Sequence, residues 1–285
     1  MPVRAVLQPT GPYSLRLSGL HASDATRIVG SGTYRATIRV GDRLERVHAV
    51  QRPNGAIIVA ADTDAGVAQV RFTLGLADDH SEFLARFADD PLLGESVRRL
   101  RGLRPMRTGT VAQALLRAVS GQLIRAGRAR EIERTIVRAV APSLGGLHAP
   151  PTAAELGGLS PAQLERFGLG ARRGAALVRL CRGLDLEALR HKPSRDVAAR
   201  LRRERGLGPW SVGVVSIQGL GSYEHGLARD LGLVKLASRL WGRRVEPEET
   251  DGLLAPYGEW AGLASVYLLA GAARGLVRFD GATSA

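Results

Sequence analysis

The apolar pattern of this chain changes period once, and that change limits the folds open to it. Up to about residue 77, apolar and polar side chains alternate, as in "YSLRLSGL" (13–20) and "TYRATIRV" (33–40). Alternation gives a strand one buried and one solvated face. "RVHAVQRPNGAIIVAAD" (46–62) places Asn54-Gly55 between two β-rich runs, a strong hairpin signal. "GVAQVRFTLGL" (66–76) reads as a further strand. From Asp79 onward, apolar residues recur at three- and four-residue steps, as in "TVAQALLRAVSGQLIRA" (110–126) and "ARDLGLVKLASRLWG" (228–242). A chain that places its strands before its helices makes an α+β protein and not a row of βαβ units. The expected division is a small antiparallel β-sheet domain over 1–88 and a larger all-helical domain over 89–285.

Charge follows the same division. Residues 1–90 carry ten arginines and ten acidic residues, whereas 91–285 carry 30 basic residues against 17 acids. The net charge of +13 therefore belongs wholly to the helical part, where a polyanionic partner is expected. Only Lys192 and Lys235 are lysines, which restricts amine chemistry. The single cysteine, Cys181, excludes an internal disulfide and a Cys-rich metal site. The six histidines show no ligand spacing, and neither lysine follows a glycine, so no P-loop is present. No apolar run approaches the ~20 residues of a bilayer span. The N-terminus lacks the apolar core of a signal peptide, so a cytoplasmic protein is expected.

One segment concentrates chemistry. "SRDVAARLRRERG" (194–206) followed by "LGPWSVGVVSIQGL" (207–220) reads as helix, Gly-Leu-Gly turn, helix. Glycines allow close backbone approach, and a helix opening at Pro209 directs free N–H groups at the same point. Such a turn suits a phosphate, with Arg203 and Arg205 beside it. It equally suits a helical corner with no ligand. A second Gly-Leu-Gly, at 168–170, also precedes a basic helix. Only the first has a carboxylate downstream in register: Asp230, 24 residues after Gly206 and 20 after Trp210. Asp230 also stands where an N-cap would.

Hairpin Gly206-Leu207-Gly208, Trp210 and Asp230 together resemble the helix-hairpin-helix DNA glycosylases. "LGPWSVGVVSIQGL" followed by "RDLGLVK" is most similar to the 3-methyladenine DNA glycosylase II branch. The resemblance covers most of the chain and places the helix-hairpin-helix at about 194–220. It implies a monofunctional DNA glycosylase of base excision repair that hydrolyses the N-glycosidic bond of a flipped-out, alkylated or otherwise damaged purine. Asp230 would be the catalytic carboxylate, facing the deoxyribose as positive charge develops. Trp210, Gln122, Val214 and Leu269 would line the base pocket. Gly206, Leu207, Gly208, Ser211, Arg203 and Arg205 would bind DNA. "AVSGQLIRAG" (118–127) resembles the family's wedge segment, with Leu123 as the wedge; as a residue, Leu123 reads equally as a core leucine.

Bifunctional relatives carry a lysine where this chain has Trp210, so no lyase step is expected. No cofactor is expected; the family's hairpin admits a sodium or potassium ion at the backbone of Gly206 and Gly208. The partner implied is double-stranded DNA containing a damaged base, bound by a monomer. The segment 260–264 is closer to the 8-oxoguanine branch. That leaves two alternatives: a glycosylase for oxidised or deaminated bases such as 8-oxoguanine or hypoxanthine, and a non-catalytic DNA-damage-binding protein.

Overall fold

A computed structural model describes residues 3–277; the outermost residues of the two expected domains lie outside that range. Five strands form one antiparallel sheet: β1 Val3–Leu7, β2 Arg27–Val29, β3 Thr33–Val40, β4 Arg43–Gln51 and β5 Ile57–Ala61, in the order β1-β5-β4-β3-β2. The Asn54-Gly55 turn joins β4 to β5, with Gly55 in the left-handed region at φ 87°. One face buries Tyr34, Ala36, Ile38, Val47, Ala49 and Val59.

Two stretches read as strands are helices. "YSLRLSGL" contains the single turn α1 (Leu15–Ser18), because Ser14 caps it by accepting from Leu17 N. "GVAQVRFTLGL" lies mostly in α2 (Asp64–Thr73). Its valines favour strands, yet Val67, Val70 and Leu74 fall on one helical face and pack on the sheet. Thr63 Oγ1 caps the start by accepting from Gly66 N. Packing and capping together override a β propensity worth only ~1 kcal/mol.

The remainder is helical apart from a two-residue strand pair, Ser143–Leu144 with Leu147–His148. The helices are α3 Ser81–Arg86, α4 Gly94–Arg99, α5 Val111–Gly121, α6 Ala126–Val140, α7 Ala153–Gly157, α8 Pro161–Arg166, α9 Ala171–Gly183, α10 Ser194–Arg202, α11 Pro209–Val214, α12 Leu231–Leu240, α13 Thr250–Leu254 and α14 Ala261–Ala272. The run 110–126 is not one helix. It ends at Gly121, and α6 begins at Ala126. α11 widens into a π-helix over Val215–Leu220.

These helices build two cores. One gathers α5, α6, α9, α10 and α11, with Cys181 inside it. The other gathers α3, α4, α12, α13 and α14. Phe83 and Leu84 of α3 belong to this second core, whereas Met106, later in the chain, joins the core under the sheet. No helix among the described residues is long and apolar enough to cross a membrane.

Candidate active site

The seam between the two helical cores is where the singled-out residues meet. On one side, α10 ends and the chain turns through Gly206, whose φ of +95° excludes ordinary side chains at low cost. Leu207 is buried and plugs α10 to α11, while Gly208 precedes the helix opening at Pro209. Arg203 and Arg205 are exposed beside the turn. The other Gly-Leu-Gly has the same geometry: Gly168 is at φ +92°, Leu169 is buried and Gly170 precedes α9. The tripeptide thus encodes a tight helical corner in both places, and only one of them faces a carboxylate.

That carboxylate is held by two donors. Asp230 is the N-cap of α12, its Oδ1 accepting from Gly232 N at 2.7 Å. Its Oδ2 accepts from the Trp210 indole Nε1–H at 2.9 Å. The capping role read from sequence is therefore real, and it leaves the second oxygen facing the hairpin's second helix. Trp210 is half-buried and packs against the first core, and Leu269 is half-buried against the second. A Cβ at Gly232 would stand 2.6 Å from Leu269 Cδ2 and 2.9 Å from Asp230 Oδ1, so these three groups are immediate neighbours.

The break between α5 and α6 lies against the same hairpin. Gln122 Nε2 donates to Gly206 O at 2.8 Å and to Ser211 Oγ at 2.9 Å, while Arg173 Nη1 donates to the Gln122 carbonyl. These bonds clamp the chain on both sides of residue 122. Leu123 then turns outward at φ 57°, a left-handed conformation rare for a leucine, with 93% of its surface exposed. Leu123 is not a core residue.

Three expected site residues have side chains engaged within the protein. Val214, one turn after Trp210, is 3% exposed and belongs to the first core. Ser211 is 1% exposed and its hydroxyl accepts from Gln122, which braces the hairpin. The Gln122 amide makes that brace through its two hydrogen bonds to the hairpin. The Gly206 carbonyl accepts from Gln122 at 2.8 Å. Among the described residues, no group of three or more His, Cys, Asp or Glu side chains is arranged for a metal ion. Lys192 and Lys235 are both exposed, off the hairpin.

Solved structures of similar shape carry the same architecture over nearly the whole chain. The 3-methyladenine DNA-glycosylase of Archaeoglobus fulgidus superposes with a TM-score of 0.80 at 22% identity, covering 95% of this chain and 98% of that one. The chain has the helix-hairpin-helix DNA glycosylase fold. An 8-oxoguanine glycosylase/lyase of Clostridium acetobutylicum, in complex with double-stranded DNA, superposes on that fold at TM-score 0.78 and 18% identity, covering 97% and 99%. In sequence, the chain is 23% identical over 255 residues to a DNA-3-methyladenine glycosylase of Bacillus subtilis (strain 168), covering 85% of this chain and 84% of that protein. No protein-family model matches the chain.

Sequence reasoning missed the partner of Asp230. Trp210 was legible as an aromatic in the site, but nothing in a linear pattern says that its N–H ends on a carboxylate 20 residues away. It also missed Gly121, where a Cβ would fall 2.4 Å from Trp210 Cη2. In sequence, Gly121 lies inside the run 110–126 that reads as one helix.

Proposed function

We propose that the protein is a monofunctional DNA glycosylase of base repair that hydrolyses the N-glycosidic bond of a damaged purine turned out of the duplex. The observation that carries this reading is the pairing of Asp230 with Trp210 at the seam, behind a hairpin and an exposed leucine. A base cannot be removed while stacked, and extrusion costs a few kcal/mol, least for damaged pairs. Leu123, an apolar side chain held in solvent by a clamped loop, has the character of a wedge that fills the vacated stack. The backbone of Gly206 and Gly208, with Arg203 and Arg205, suits the phosphates beside it.

As the glycosidic bond breaks, the base leaves with the bonding electrons and C1′ gains positive charge. The Asp230 carboxylate, fixed by Gly232 N–H and Trp210 N–H, would stabilise that charge without reorganising. Water adds at C1′, and Asp230 is the group placed to accept its proton. Trp210 in place of a Schiff-base lysine supports hydrolysis without strand cleavage.

The names borne by the similar proteins favour an alkylated purine. A second reading, an oxidised purine such as 8-oxoguanine, is favoured by the fit to the Clostridium acetobutylicum enzyme and by the segment Trp260 to Ala264. Base release from duplexes carrying 3-methyladenine, 7-methylguanine, hypoxanthine or 8-oxoguanine tests both. The proposal expects release of one class, leaving intact strands that break only in alkali. Strand scission coupled to release would overturn the monofunctional reading. Binding with no release from any lesion would leave a damage-binding protein.

A further inference from the structure

The residue before the carboxylate is in an unusual conformation, and a separate element holds it there. Arg229 has φ 68°, in the left-handed region that residues bearing a Cβ rarely enter. Its backbone N–H donates to Thr250 Oγ1 at 2.7 Å, and the Thr250 hydroxyl donates onward to the Pro247 carbonyl at 2.6 Å. Thr250 is fully buried, at 0% exposure, so no solvent replaces either bond. The Arg229 guanidinium lies against the same element, with Nη1 3.1 Å from Glu248 and Nη2 3.9 Å from Asp251. Two residues earlier, Leu227 N donates to Ser265 Oγ. The 227–230 segment is thus pinned at both of its ends before Asp230 begins α12.

We infer that Thr250 is a positioning residue for Asp230, acting through the left-handed backbone of Arg229. This rests on Asp230 being the reacting carboxylate. A change in ψ at residue 229 swings everything that follows, so losing the Thr250 bond lets the carboxylate leave the line set by Trp210 and Gly232. Left-handed conformations at non-glycine residues persist where surrounding structure over-determines them, and they gather at functional sites. The surrounding structure here is α13 and the turn before it, which contribute no group to the carboxylate itself. Misplacement of a reacting group by ~1 Å costs on the order of 100-fold in rate.

The test compares Thr250→Val, Thr250→Ser and Asp230→Asn with the unaltered protein. Valine keeps the shape and removes both hydrogen bonds, whereas serine keeps the hydroxyl. Two readouts are needed: single-turnover base release with lesion-DNA affinity, and the Trp210 indole N–H resonance in the free protein. The expected result is that Thr250→Val slows release about 10- to 100-fold, leaves affinity within about twofold, and shifts the Trp210 resonance as its acceptor moves. Thr250→Ser should restore both. A valine variant with unchanged rate and unchanged resonance would overturn the inference. So would equal loss of rate, affinity and melting temperature in the valine and serine variants, the mark of a purely structural residue. Full activity in Asp230→Asn would instead defeat the reading of Asp230, while the resonance would still report whether Thr250 holds the segment.

Discussion

Asp230 caps a helix and, on the proposed function, also supplies the reacting carboxylate. Its Oδ1 is committed to capping α12 and its Oδ2 to the Trp210 N–H, so neither the helix nor the indole leaves its aim to chance. Trp210→Phe keeps an aromatic ring against the first core and removes only the donor. Loss of one preorganised donor beside a charge that acts in the transition state should lower the single-turnover rate by about tenfold or more, with DNA affinity near that of the unaltered protein. Equal losses in rate and affinity would show that Trp210 works mainly by holding the base. Asp230 and Trp210 were legible as a pair of interest from their spacing. Their hydrogen bond was not, because it depends on how 20 intervening residues fold back. Val214 illustrates the opposite failure: expected to line a pocket one turn after Trp210, it is a small apolar side chain buried in the first core.

At the scale of elements, the hairpin, the α5–α6 break and the start of α12 interlock. Gln122 bonds the hairpin through its amide, Arg173 of α9 bonds the Gln122 carbonyl, and the Trp210 ring edge lies over Gly121. Gly121→Ala is the substitution that disturbs this arrangement with least change of surface. Its Cβ would meet Trp210 Cη2 at 2.4 Å, far inside contact distance, and either the ring or the helix end must move. The expected outcome is slower base release with a displaced Trp210, read by indole fluorescence, while extrusion of a fluorescent base analogue beside Leu123 persists. Unaltered fluorescence and rate would show that the ring has room to spare. Sequence pattern located the hairpin, the α12 start and the Asn54-Gly55 turn because each has a local cause in glycine, cap or turn chemistry. It misplaced α1 and α2, whose leucine-, valine- and phenylalanine-bearing runs become helical through caps at Ser14 and Thr63 and through contacts with the sheet.

Across the whole molecule, a buried polar seam ties the sheet unit to the loop that delivers Asp230. Phe72 of α2 is stacked between the guanidiniums of Arg107 and Arg190, each 4.6 Å from its ring centre. Arg107 pairs with Asp78 at 2.6 Å, and Tyr223, in the loop before Asp230, donates to the same carboxylate at 2.5 Å. His80 packs edge-on against Tyr223 at 4.9 Å, is 2% exposed, and finds no partner for either ring nitrogen. Burial first, and the Arg104 charge second, push its pKa from 6.5 down to about 4. Between those values the unfolded chain takes up a proton that the folded chain refuses, so stability falls as pH drops through 6.5 and levels off below about 4. The loss should reach roughly 3 kcal/mol. His80→Phe, which keeps a ring against Tyr223, should flatten the stability profile across this window in denaturant titrations. An unchanged slope would assign the acid sensitivity to other groups.

On the proposed function, Asp230 breaks a glycosidic bond and does more than cap a helix. The most direct measurement is single-turnover base release by Asp230→Asn on the lesion that the unaltered protein excises, with affinity for the same duplex measured alongside. Asparagine keeps one oxygen, which can still accept from Gly232 N–H and cap α12, but it carries no charge and cannot accept from the Trp210 N–H through its amide nitrogen. The account predicts a loss of at least about 100-fold in rate with affinity retained and melting temperature close to the unaltered protein. Release at the unaltered rate would contradict it and reduce Asp230 to the cap of α12.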